Sequence, residues 1–286
     1  MDPDQYCREK LATGASSVHY SLLFAPIERR RAATALYALR RELDDTVEAA
    51  SDPSLARAGL GWWAQELQCL FDGAPQHPVT RALAPHAVRY GLAPDPLIGS
   101  LQARLRLLEP DPFDDFDALA QYCYLAAAPF VQAAATMFGG VESATQAHAR
   151  EVALAMQLIR MVRDAGRHAR RGRIVFPMQD LREFDVTPDD LWSARYVKGF
   201  ELLANRQADR ARAALRAAAA HLPPAERRTQ APSVILAALY QALLDELQLS
   251  GYRVLHQRIG LTPVRKLLIA WRTWVFGPPR GGAMLG

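Results

Sequence analysis

Residues 37–48 read Tyr37-Ala38-Leu39-Arg40-Arg41-Glu42-Leu43-Asp44-Asp45-Thr46-Val47-Glu48. With Leu36 just upstream, Leu39 and Leu43 recur at three and four positions, which predicts an amphipathic helix. On such a helix Asp44 and Glu48 are one turn apart, so both carboxylates lie on one face. Asp45 borders that face, and Arg41 lies one turn before Asp45. Two carboxylates on one turn repel unless a cation sits between them. Oxygen ligands at this spacing suit Mg²⁺, which bridges carboxylates to phosphates. The same residues also read as a solvated acidic helix end that pairs with Arg41.

The helical pattern continues outward in both directions. Ala, Leu, Arg, Glu and Gln fill the long segments, and β-branched runs with strict alternation are missing. Breaks at prolines and glycines divide the chain into expected helices at 27–49, 54–72, 78–91, 96–109, 115–138, 142–170, 189–221, 232–258 and 262–276. The linkers are short, none is rich in Ser and Gly, and no fixed-period repeat is present. The expectation is a single all-α domain over residues 1–276, followed by a disordered tail at 277–286.

Composition bounds the rest. Of 286 residues, half are hydrophobic and 22% are charged, an ordinary globular balance. Three widely spaced cysteines (Cys7, Cys69 and Cys123) match neither a disulfide framework nor a zinc site and suit a reducing cytoplasm. The acidic N-terminus lacks a signal-peptide core, and no apolar run approaches the roughly 18 residues of a membrane span. The net charge is +4, and only Lys10, Lys198 and Lys266 are lysines. Arginine favours bidentate contact with phosphate and carboxylate, although a base-composition bias toward Arg and Ala codons would give the same count. No helix-turn-helix or aromatic-interleaved basic platform argues for nucleic acid.

A second segment, residues 157–177, carries Gln157, Arg160, Asp164, Arg167, His168 and Arg171 on one polar stripe. Leu154, Leu158, Met161 and Val162 supply its apolar face. A row of guanidiniums beside one aspartate could receive a diphosphate. It could equally be a charged face whose basic end complements the helix dipole.

Taken together these segments resemble the squalene/phytoene synthase family. Residues 37–48 look like its first aspartate-rich motif, and Ser17-Val18-His19-Tyr20-Ser21 through Arg30 is similar to the phosphate-contacting stretch before it. Arg163-Asp164, followed by Ala169-Arg170-Arg171-Gly172-Arg173-Ile174 and Pro177, resembles the second motif and its sequel. Gly251 to Leu267 and Ala270-Trp271-Arg272-Thr273 look like the bacterial branch that makes presqualene diphosphate. The resemblance runs from about residue 4 to residue 276. It implies an isoprenoid-synthase helical fold around a central cavity. It also implies head-to-head condensation of two farnesyl or geranylgeranyl diphosphates to a presqualene/squalene- or phytoene-type product.

Site roles follow from the same resemblance. Asp44, Asp45, Glu48 and Asp164 would hold Mg²⁺, with Tyr37, Asp44 and Asp164 as catalytic residues. Ser17, Ser21, Arg41, Gln157, Arg160, Arg163 and Arg167 would contact the diphosphates. NADPH is not called for by these residues, and its use stays open. Three positions depart from the family pattern: Arg160 stands where Asn is expected, and Arg167 and His168 where acidic residues would hold metal. Arg cannot ligate Mg²⁺ and repels it. Two readings therefore compete: an active prenyltransferase, or an impaired paralog that binds a prenyl diphosphate or a protein partner such as an intact paralog. Pro129, Phe130 and Val131 depart where small residues shape the tail pocket, and Pro129 is expected to kink its helix. Residues 261–276 interleave Arg265, Lys266 and Arg272 with leucines and tryptophans, so this helix either packs on the body or lies on an anionic membrane surface. The expected location is cytoplasmic, with a peripheral place at the inner face of the membrane left open.

Overall fold

A computed structural model describes residues 2–13, 16–50, 52–109 and 113–278. Among them are fourteen α-helices and no strand. The order is α1 (Pro3–Ala12), α2 (Ser17–Ser21), α3 (Ile27–Ala49), α4 (Pro53–Phe71), α5 (Pro78–Tyr90), α6 (Pro94–Arg106) and α7 (Phe116–Met137). Then follow α8 (Ser143–Arg163), α9 (Ala165–Ala169), α10 (Met178–Glu183), α11 (Pro188–Trp192), α12 (Lys198–His221), α13 (Ala231–Leu249) and α14 (Pro263–Phe276).

Proline opens α1, α4, α5, α6, α11 and α14. At that position its missing N–H costs nothing and its fixed φ suits the helix. Asp2, Asp52, His77, Asp115, Thr187 and Thr262 precede helices and accept a backbone N–H of the first turn, which satisfies donors the helix cannot. Pro129 sits inside α7, and the helix continues through it to Met137.

The expected helices are present with three revisions. The segment 142–170 divides at Asp164, whose backbone leaves helical geometry at φ −100° and ψ 10°. The segment 189–221 divides into α11 and α12. The segment 232–258 ends at Leu249, because Gly251 at φ +61° and Tyr252 at φ +52° turn the chain out of the helix. Helices α1, α2 and α10 are additional. The expected tail at 277–286 lies, from residue 279 on, outside the described residues.

The arrangement positions two helices as opposing walls. α3 packs on α1, α4, α5 and α7, whereas α8 packs on α7, α12 and α13. Long side chains crossing the gap link α3 to α8. Around them a continuous apolar core includes Leu36, Leu39, Leu43, Phe130, Leu158 and Phe200, each fully buried. Beyond α8, the 252–255 turn presses on α9. A Cβ built on Gly166 would lie 2.3 Å from the Leu255 carbonyl oxygen and 2.5 Å from that of Val254. This close approach carries the following segment, with Arg258, back to Asp164. Replacing Gly166 by Ala is expected to lower stability by about 1–3 kcal/mol, read as a drop in melting temperature, because backbone rather than a flexible side chain must yield.

Candidate functional site

The cations reach the site because two helices place arginines inside apolar stripes. On α3, Leu36, Arg40, Leu43 and Val47 fall at helical spacing and all face inward. On α6, Leu97, Leu101 and Arg104 do the same, and Arg104 is only 3% exposed. Its guanidinium lies 5.6 Å from the centre of the Phe130 ring. Buried guanidiniums need counterions or acceptors: Arg104 turns to Asp44 of the first acidic motif, and Arg40 to the Gln157 side chain on the opposing wall.

Asp44 is held from both sides. Arg104 donates to Oδ1 at 2.7 Å and Arg160, reaching over from α8, donates to Oδ2 at 2.8 Å. One turn on, Arg167 donates to both oxygens of Glu48, at 2.7 and 3.1 Å. Asp164 receives Arg163 through a two-nitrogen fork, Arg167 at 3.0 Å and Arg258 at 3.3 Å. Asp45 points elsewhere, to Arg41 at 2.9 Å and Lys10 at 3.0 Å. Arg40 donates to Gln157 at 3.1 Å and lies against the Met156 sulfur. Gln157 in turn donates to the Tyr122 hydroxyl at 3.3 Å.

Charge and burial set the protonation states. Burial alone would raise the pKa of Asp44, but Arg160, Arg104 and Arg40 overcome it and hold the carboxyl far below the usual range. Asp164 is likewise held low against its burial by Arg163, Arg167 and Arg258. Burial and the neighbouring Arg160 push Arg40 down to about 10. Burial pushes His168 down to about 3, so its ring is neutral at physiological pH. Burial raises Tyr37, which keeps its phenol protonated.

Two connected features result. Asp44, Glu48, Gln157, Arg160, Asp164 and His168 line one inner cavity, as expected for facing motifs, but it measures only about 30 Å³. That is room for about one water. Beside it opens a chamber of about 400 Å³, within the ordinary range for ligand pockets. Seven cations line the chamber (Lys10, Arg40, Arg41, Arg160, Arg163, Arg258 and Lys266), against the single carboxylate of Asp44. Ser17, Tyr37 and Tyr240 add hydroxyls, and Leu11, Val18, Ile259 and Leu261 an apolar rim. The buried Nε of Arg40 has no acceptor. Repulsion from Arg163 lowers Arg258, and burial followed by Arg163 lowers Lys266. The chamber is thus over-supplied with positive charge, which an anion would relieve.

The residues expected at the site are only partly gathered. Ser17, Tyr37, Arg41, Asp44, Arg160 and Arg163 line the chamber, whereas Gln157 and Asp164 line the inner cavity. Ser21 donates to the Val18 carbonyl in its own short helix and faces a separate small void, so it is not placed for a diphosphate. Arg167 is consumed by Glu48 and Asp164. The donor set expected for Mg²⁺ does not fit: among the described residues no three Asp, Glu, His or Cys side chains gather as metal ligands. Arg160 and Arg167 occupy the space between the carboxylates, and Asp45 is turned away. Arg40, Arg104, Arg258 and Lys266 were not anticipated. The signal for the first two was an arginine at an apolar position of a helical stripe.

This geometry is that of the helical isoprenoid-synthase fold, with two acidic motifs facing one cavity. The chain belongs to the squalene/phytoene synthase family, whose model matches residues 11–265. It is 27% identical to a phytoene synthase of Arthrospira platensis, over 93% of this chain and 91% of that one. It is also 27% identical to the chloroplastic phytoene synthase of Narcissus pseudonarcissus, over 91% of this chain but 63% of that protein's length. A squalene synthase, HpnC, from Alicyclobacillus acidocaldarius superposes with a TM-score of 0.74 at 25% identity, covering 87% of this chain and 94% of that one. A dehydrosqualene synthase in complex with ligand superposes with a TM-score of 0.81 at 19% identity over 94% of each chain, a likeness of fold.

The ion pairs make a clear forecast. In a metal site without metal, neutralising a carboxylate relieves repulsion. Here Asp44→Asn strands Arg104, Arg160 and Arg40 together, and the expected loss is about 3 kcal/mol or more, measured by denaturant unfolding. Because the folded pKa values of Asp44 and Asp164 are depressed, their contribution is complete above the unfolded carboxylate range near pH 4. It is lost as pH falls below that. The acid limb of the stability profile is expected to flatten in Asp44→Asn.

Proposed function

We propose that this chain binds a prenyl diphosphate in the cationic chamber and holds the diphosphate with its own arginine and lysine side chains instead of Mg²⁺. The observation that carries this reading is the occupation of the acidic motifs: Asp44, Glu48 and Asp164 are each neutralised by guanidiniums, two of them from Arg160 and Arg167. In the family, bound Mg²⁺ supplies charge neutralisation for the departing diphosphate. In this chain the internal arginines cancel the carboxylates that would recruit it, and the remaining cations face the chamber.

Arg41, Arg163, Arg258 and Lys266 line the chamber, and a diphosphate would draw them from their present partners into charge-assisted hydrogen bonds with its phosphoryl oxygens. Ser17 and the protonated Tyr37 add neutral donors, and Arg40 contributes field from behind. These contacts act on the ground-state diphosphate. Interactions that do not strengthen as charge develops on the leaving group favour binding over turnover. The inner cavity is too small for a prenyl chain, which separates this site further from a two-substrate condensation. The chain then serves as a prenyl-diphosphate-binding member of its family, suited to an accessory role beside an intact paralog.

A second reading is condensation itself, with a presqualene/squalene- or phytoene-type product. What favours it is the placement of Tyr37, Asp44 and Arg163 on the chamber wall, with Asp44 shared with the adjoining cavity that Asp164 lines, and the names of the relatives. Titration calorimetry with farnesyl and geranylgeranyl diphosphates, in EDTA and in Mg²⁺, separates the two. The expected outcome is saturable binding of equal affinity in both buffers, with no C30 or C40 hydrocarbon or cyclopropyl diphosphate after long incubation. Binding that requires Mg²⁺, or product that vanishes in Asp44→Ala, establishes the second reading instead.

Two variants extend the test. Arg163→Gln is expected to weaken binding about tenfold, the scale of one charge-assisted hydrogen bond. The pair Arg167→Glu with His168→Asp frees Glu48, adds two acidic groups, and is expected to make diphosphate binding respond to Mg²⁺. Affinity is also expected to fall as pH rises, because the depressed Lys266 loses its proton before an ordinary lysine would and the anion must then recruit it.

A further inference from the structure

The chain's positive charge is concentrated at one end. Residues 247–286 contain Arg253, Arg258, Arg265, Lys266, Arg272 and Arg280 and no aspartate or glutamate, so the remainder of this +4 chain is net acidic. Helix α14 lies in that stretch and has three distinct sides. Lys266, Ile269, Ala270 and Thr273 turn toward the body, with Ala270 and Thr273 buried. Val264, Leu267, Leu268, Trp271, Trp274 and Val275 form a stripe along the opposite side, each at least 45% exposed, with Leu268 at 56% and Val264 at 77%. Arg265, held by Glu246, and the exposed Arg272 flank the stripe. Phe276 ends it at 72% exposed.

An apolar stripe of this kind marks an interaction surface. We infer that α14 docks this chain on an anionic lipid bilayer, with the leucine and tryptophan stripe entering the interface and the surrounding arginines meeting the headgroups. Three observations favour lipid over a second copy of the chain. A segment of net positive charge, with Arg253 and Arg272 exposed beside the paired Arg265, repels its own copy and is drawn to an anionic surface. Indole rings, amphipathic themselves, settle at the headgroup level, and two of them stand on this one stripe. Stacking of Trp274 on Phe24, in the turn after α2, with centroids 4.9 Å apart and planes at 16°, ties the end of α14 to the body so that its outer side stays presented.

The location adds a purpose that rests on the diphosphate-binding reading. Leu261, Thr262 and Lys266, at the start of α14, are part of the chamber wall. A prenyl diphosphate has a polar head and a tail that partitions into lipid. Docking through α14 brings the cationic chamber next to the phase where such a molecule resides.

The test is co-sedimentation of the full chain with large vesicles, without any prenyl diphosphate present. Vesicles of phosphatidylcholine alone are compared with vesicles of phosphatidylcholine and phosphatidylglycerol, at low and high salt. The expected result is binding to the anionic vesicles that weakens with salt, with a blue shift of tryptophan emission. Leu268→Glu with Trp271→Glu is expected to reduce binding at least about tenfold and Arg272→Glu several-fold. All three positions are exposed, so melting temperature is expected to hold. No sedimentation with either vesicle, or undiminished sedimentation of the double variant, overturns the inference. So does a dimer in gel filtration that the double variant converts to monomer. Titration of the same double variant with soluble farnesyl diphosphate keeps the two proposals apart: retained affinity with lost vesicle binding supports docking by α14. Lost affinity in the unmodified chain defeats only the diphosphate reading.

Discussion

A carboxylate placed between two helices must have a cation, and in this chain the cation is covalently attached. Asp44 takes one guanidinium on each oxygen, Arg104 from α6 and Arg160 from α8. That clamp joins α3 to α6 and α8, and Arg167 on Glu48 joins it to α9. A mobile Mg²⁺ and a tethered arginine both neutralise the carboxylate, but they leave different sites behind. A metal brings open coordination positions to a phosphate. An arginine spends its hydrogen bonds on the carboxylate and closes the space. The small inner cavity is the steric result, and the absence of a three-ligand metal group among the described residues is the chemical one.

The same substitution explains why the neighbouring chamber is so positive. Three inward carboxylates, Asp44, Glu48 and Asp164, meet five guanidiniums, from Arg104, Arg160, Arg163, Arg167 and Arg258. Arg40 adds a further buried cation whose Nε lacks an acceptor. Burial, with Arg160 beside it, depresses Arg40, burial followed by Arg163 depresses Lys266, and repulsion from Arg163 depresses Arg258. A diphosphate is the kind of ligand that returns these groups to their ordinary state. On the diphosphate-binding reading, fold stability and ligand choice come from one set of arginines.

Much of this was readable along the chain. The three/four spacing around Leu36, Leu39 and Leu43 gave α3 to the residue, and prolines marked most helix starts. Asp44 and Glu48 do share one face and line one cavity, and Arg160 and Arg167, singled out along the chain, are the side chains that pair with them. What could not be read was long-range pairing. Arg104 is sixty residues from Asp44, and nothing local says that they meet. The departure of Asp45 toward Lys10 depends on α1, a short helix with a weak apolar pattern. The end of α13 was missed because Val254 and Leu255 continue the periodicity, while backbone at Gly251 and Tyr252 turns away. Arg40 and Arg104 did leave a trace, as charged residues in otherwise apolar stripes, and such positions merit the same attention as acidic motifs.

The central claim is that internal arginines replace the metal. Electron paramagnetic resonance of Mn²⁺ added to the purified chain, with and without inorganic diphosphate, reads metal occupancy without reference to turnover. The account predicts that the free Mn²⁺ signal is undiminished by the protein alone. It also predicts no protein-dependent loss beyond that caused by diphosphate itself. Saturable uptake of Mn²⁺ by the chain, abolished in Asp44→Asn, would contradict it.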